Sequence, residues 1–130
     1  MPRNEERTHV HNTDLGDSRR LALADWFVDI VELHFELPRG SLREGSRRSM
    51  RMAEARHLAA YILHTELGLS QAATARALGR HRSTVMNSLR RVEDSRDDPV
   101  MNRHIEGLTA QLNGLRAATL GHGIDGEAAR

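Results

Sequence analysis

Apolar residues recur along the chain at spacings of three and four and never in strict alternation, so the pattern predicts helices and no strands. Leu23, Trp26, Phe27, Ile30, Val31, Leu33 and Leu37 make one broad stripe. They predict a first helix starting at Arg19, capped by Asp17 or Ser18 and ended by Pro38-Arg39-Gly40. A short basic segment, SLREGSRRSMR, covers 41–51, with room for a single turn at 41–44. A long helix follows from about Ser49 to Leu67, with Met52, Ala55, Leu58, Ala59, Ile62 and Leu63 inward and Gly68 as its stop. Ser70 caps a helix over 70–78, Gly79 makes a tight turn, and a further helix covers 82–95 with Val85, Met86, Leu89 and Val92 inward. Asp98-Pro99 opens a last helix reaching Leu115 or Leu120, with Val100, Met101, Ile105, Leu108, Leu112 and Leu115 on one side. The expected fold class is all-α, a bundle of five to six helices. Residues 1–17 are polar and aperiodic and read as a disordered tail, 18–116 as the folded domain, and 117–130 as a flexible tail.

At 130 residues the chain supports one domain. Aromatics are 3% of it, so the core must be built from Leu, Ala, Val, Ile and Met. The absence of cysteine excludes disulfides, Fe–S clusters and thiol nucleophiles. No apolar run approaches the ~20 residues that span a bilayer, and the N-terminus has no apolar signal core. The expected location is therefore the cytoplasm, on the nucleoid, with no membrane partner. No GxxxxGK[ST] loop is present, which excludes a large nucleotide-hydrolysing machine.

Charge changes the picture more than composition does. The chain has no lysine, and its arginines are unevenly placed. Residues 1–38 hold four Arg and eight acids, net −4; residues 39–96 hold twelve Arg and five acids, net +7; residues 97–130 hold three Arg and five acids, net −2. A basic middle between acidic flanks is the footprint of a polyanion-binding surface.

That middle contains a helix-turn-helix layout, LSQAATARALGRHRSTVMNSLRRVED. Ala73 and Ala77 are small enough for close helix packing, Gly79 makes the turn, and the next helix opens with His81, Arg82, Ser83 and Thr84. The first turn of such a second helix meets base edges and phosphates in the major groove. Arg82 can donate twice to guanine O6 and N7, and Ser83 can contact either base type. Double-stranded DNA is the expected partner. The histidines offer no competing chemistry. His9 and His11 lie in the expected tail, and His57, Tyr61 and His64 gain no carboxylate or cysteine to complete a ligand set, so no metal and no cofactor are expected. The serines lack an acid–base pattern, so no catalytic residue and no enzyme activity are expected. Trp26 and Phe27 read as core. The acidic face Asp25, Asp29, Glu32 and Glu36 reads as solvated, or alternatively as a contact for a transcription or replication protein such as a polymerase subunit.

Three separated motifs, in order, carry a family resemblance. They are the basic loop Gly45-Ser46-Arg47-Arg48-Ser49 leading into Ala55-Arg56-His57, the Leu69-Ser70 helix start, and Gly79-Arg80-His81-Arg82-Ser83-Thr84-Val85. The chain resembles the C-terminal DNA-binding domain of the bacterial replication initiator DnaA over about residues 25–113. That family has an RRSR-like loop, an A-R-Q-like triplet and a GGRDH[ST]TV signature. The resemblance implies roles position by position. Arg48 matches the arginine that enters the minor groove, with Arg47 and Arg51 beside it on phosphate. Arg56 and His57 match a phosphate-gripping pair, Gln71 a backbone contact, and Arg80 and Thr84 phosphate contacts flanking the recognition turn. His81, Arg82 and Ser83 match the base-reading trio. Two departures fall on sequence readout. His81-Arg82 replaces the family's Asp-His pair, so an acidic acceptor gives way to a donor, and the turn has a single glycine, one residue shorter. They imply a site other than the standard initiator box. The initiator's ATPase part has no counterpart in this length. The expected function is sequence-preferring duplex binding as a transcriptional regulator. The alternatives are a modulator of replication that occupies initiator sites, and a protein-interaction module that has lost DNA affinity.

Overall fold

The computed structural model describes the backbone of residues 2–44 and 49–128, and the side chains of 18–44 and 49–119. Five helices run in order: α1 Pro2–His34, α2 Met50–Thr65, α3 Gln71–Leu78, α4 Arg82–Asp94 and α5 Pro99–Ala128. The described residues contain no strand, so the all-α reading holds with five helices. The tails expected at 1–17 and 117–130 lie almost wholly outside the residues whose side chains are described.

Helix α2 is the central post. Leu58, Ala59, Ala60, Tyr61, Ile62 and Leu63 are all buried, so the helix is covered on every side. It contacts each of the other four helices. Phe27, Val28 and Val31 of α1, Leu78 of α3, Val85 of α4 and Leu108 and Leu112 of α5 close the core around it. The caps at Ser70 and Asp98 form as the sequence suggests, and Ser49 caps α2, but α1 begins at Pro2, so Asp17 and Ser18 lie inside it and do not start it. Ser49 Oγ accepts from the Met52 amide at 3.0 Å, Ser70 Oγ from the Ala73 amide at 3.0 Å, and Asp98 Oδ1 from the Val100 amide at 2.9 Å.

Helix α1 departs from the expected stripe. Ala24, Phe27, Val28, Val31 and Phe35 face the core, whereas Trp26 is 51% exposed and Leu33 78% exposed. Seven apolar positions made a stripe wider than the neighbouring helices can cover, and its outer edge remains in solvent. For the same reason Met86 and Val100, expected inward, are exposed. The acidic face is corrected too. Glu32 is buried, and its carboxylate accepts from the Gly40 amide at 2.9 Å and the Leu42 amide at 3.0 Å. Asp25 pairs with Arg43 at 3.1 Å and Asp29 with Arg39 at 3.8 Å.

The helix ends before Pro38, through its own backbone. Leu37 N–H donates to Glu32 O at 2.8 Å and Glu36 N–H to Leu33 O at 3.1 Å, which places Glu36 at φ 57°. This is the left-handed helix terminus usually filled by glycine. At the same end of α1, His34 Nε2 and His104 Nδ1 of α5 are hydrogen-bonded at 3.0 Å.

Candidate nucleic-acid interface

Helices α3 and α4 meet across a turn with one allowed shape. Gly79 adopts φ 63°, with its amide bonded to Arg76 O at 3.2 Å and the Arg80 amide bonded to Ala75 O at 2.8 Å. A side chain on Gly79 would also bring a Cβ to 3.2 Å from the Arg43 carbonyl oxygen, so the turn lies directly against residue 43. Arg43 reinforces this contact by donating from Nε to Ala77 O at 3.0 Å. Ala75, Ala77 and Leu78 are buried, and Thr74 folds its hydroxyl back onto Ser70 O at 2.8 Å. The helix pair is thus a fixed unit.

Helix α4 starts at an end with no side-chain cap. His81 is its N-cap residue, with extended backbone, and its ring makes no capping bond. His81, Arg82 and Ser83 are all exposed there. Arg82 Nε lies 3.5 Å from Gln71 Oε1, which brings two expected DNA contacts from different helices together. An exposed helix N-terminus with unpaired N–H groups and adjacent cations is a site for anions.

The remaining expected contacts divide. Thr84 is half-buried and begins an i, i+4, i+7 row with Ser88 and Arg91 along the flank of α4. His57 packs against that row, its Nδ1 2.7 Å from Ser88 Oγ. Burial, and then the guanidinium groups of Arg91 and Arg56, hold His57 below the usual histidine pKa. Arg51, His57 and Arg91 line an open groove of about 520 Å³, with Glu54 and Asp98 among its other walls. Arg80 gives an N–H to Glu44 O at 2.7 Å, Arg51 gives one to Phe35 O at 3.3 Å, and Arg56 Nε donates to Leu42 O at 3.4 Å. All three hold chain segments together. Arg47 and Arg48 lie outside the described residues.

Sequence reasoning missed Arg90 and Arg91, which are exposed on α4. Both were legible as the continuation, at seven and eight residues, of the row that begins at Ser83. The cations of α4 end at Arg91, and Glu93 and Asp94 follow at once.

Among the described residues no cluster of three or more His, Asp or Glu side chains is placed to hold a metal, and no helix is long and apolar enough to cross a membrane. The sequence matches the family described as bacterial DnaA protein helix-turn-helix over residues 26–92. No curated protein and no solved structure matches the chain.

Proposed function

The chain belongs to the bacterial DnaA helix-turn-helix family, and from that premise we propose that it is a transcriptional regulator that binds duplex DNA with sequence preference. Residues 26–92 form a DNA-binding domain of that family. The observation that carries the reading is the uncapped, exposed start of α4, where His81, Arg82 and Ser83 follow the Gly79 turn. In this reading α4 lies in the major groove. Arg82 favours guanine by two parallel hydrogen bonds, and His81 and Ser83 read the neighbouring bases. Gln71, Thr84, His57 and Arg91 line the adjoining backbone. Arg48 reaches a minor groove and is most sensitive to flanking A·T runs, with Arg47 beside it on phosphate. No step calls for a metal, a cofactor or catalysis, and the site of action is the nucleoid.

The binding reading is tested by fluorescence anisotropy on random-sequence duplex across salt concentrations. With roughly five to seven phosphate contacts, log affinity falls against log salt with a slope of about −4 to −6. A flat response overturns DNA binding. The regulatory role is tested by mapping genome occupancy. Promoter-overlapping sites with guanine facing Arg82 support it, and tight binding confined to initiator boxes at origins replaces it with a replication modulator.

A further inference from the structure

The outward side of α4 does not stop at its first turn. Met86 and Asn87 follow Ser83 by three and four residues and Arg90 by seven. Helical geometry places all four opposite the buried Val85, Ser88 and Val92. Met86 is 44% exposed. Asn87 is exposed, and its carboxamide makes no hydrogen bond among the described residues.

These two side chains are uncharged, and they sit between Arg82 and Arg90 on the face already assigned to DNA. A phosphate has no use for a thioether, and a surface built only for charge would carry arginine there, as position 90 does. Their chemistry matches something else. A carboxamide presents a donor and an acceptor in one plane, which fits adenine N7 and N6–H₂. An apolar group fits the thymine methyl, which protrudes into the same groove. Four residues of helix advance ~6 Å, close to two base-pair steps of ~3.4 Å, so Asn87 meets a different base pair from Ser83. Glu93 and Asp94 repel phosphate and set the far end of the contact.

We propose that Met86 and Asn87 form a second base-reading station on α4 that recognises an A·T pair, Asn87 binding adenine and Met86 packing on the thymine methyl. The proposal rests on α4 being the DNA-reading helix.

The test uses the full chain and its best selected duplex. Each adenine is replaced in turn by 7-deazaadenine, which lacks the N7 acceptor, and each thymine by deoxyuridine, which lacks the methyl. At one A·T pair the deaza substitution should weaken the wild type about 5- to 100-fold and Asn87→Ala less than about twofold, since that contact is already gone. Deoxyuridine at that pair or its neighbour should weaken the wild type about fourfold and leave Met86→Ala unchanged. Met86→Leu should keep the methyl sensitivity, which separates packing on DNA from a folding defect. Equal losses in wild type and variants, or insensitivity at every A·T pair, overturn the station. If salt-dependent binding persists in that case, the DNA-binding reading stands. If the wild type shows a flat salt response, that reading falls as well.

Discussion

Around the connection between α1 and α2, three arginines bond the backbone of the protein itself. Arg43 donates to Ala77 O and pairs with Asp25, Arg51 donates to Phe35 O, and Arg56 to Leu42 O. Along α4 the same residue type stands in solvent. Arg90 and Arg91 are exposed, and among the described residues Arg82 reaches only Gln71, at 3.5 Å. Both sets count toward the +7 of the middle segment, yet one bonds carbonyl oxygens of the fold and the other stands exposed. In a chain without lysine, a count of cations therefore overstates the polyanion surface. Among the described residues, the arginines of α4 hold no backbone carbonyl.

The largest effect belongs to the holding region. Glu32→Leu should cost about 3 kcal/mol in urea unfolding, because one buried and one half-buried amide lose a charged acceptor. A cost below about 1 kcal/mol would show that the 38–44 turn holds without it, and the contrast between regions would weaken. Next comes the reading region. Arg82→Ala should remove about 1–3 kcal/mol of discrimination for guanine at one base pair, with folding stability unchanged within about 0.5 kcal/mol. Equal weakening on all sequences would reassign Arg82 to phosphate.

Arg43→Met should cost about 1.5 kcal/mol of stability, mainly from the lost bond to Ala77 O, since the Asp25 pair is largely exposed. Affinity of the folded variant should change less than about twofold. A loss of tenfold or more would move Arg43 to the DNA side of the comparison.

The smallest effect is a pH slope. Burial, and then His104, hold His34 below the usual histidine pKa. The unfolded chain therefore binds more protons as pH falls through about 6.5. Stability from this pair is complete above that pH and is lost progressively below it. Melting temperature should fall on acidification, and His34→Gln should flatten the fall. His57, depressed by burial and then by Arg91 and Arg56, keeps a residual slope of the same sign. An unaltered slope in His34→Gln would remove the pair from the holding region.

Much of this organisation was legible in the chain, and the gaps have a common cause. The starts of α2, α3 and α5 were marked by Ser49, Ser70 and Asp98, and the α3–α4 turn by Gly79, because caps and left-handed glycines are local devices. The burial of Glu32 was not legible, since its partners are amides eight and ten residues on, brought back by a turn. Nor was the exposure of Trp26 and Leu33, which depends on how far α5 and α3 reach around α1. The cluster of His81, Arg82, Ser83 and Gln71 was legible from the motif. The inward engagement of Arg56 and Arg80 was not, because the carbonyls they bond, Leu42 O and Glu44 O, come from a segment distant in sequence.

Helix α4 begins without a cap, whereas α3 begins with one. The consequence is a matter of timing. The amides of Arg82 and Ser83 lie too near the start of α4 to reach an intrahelical acceptor, since His81 O, the first one, receives the amides of Thr84 and Val85. In the free protein this first turn opens more often than the Ser70-capped turn beside it. A bound phosphate supplies the missing acceptor and closes it. Hydrogen exchange at 82–84 should slow on DNA more than exchange at 71–73. The first turn of α4 then settles after the capped turn beside it, once an anion is bound.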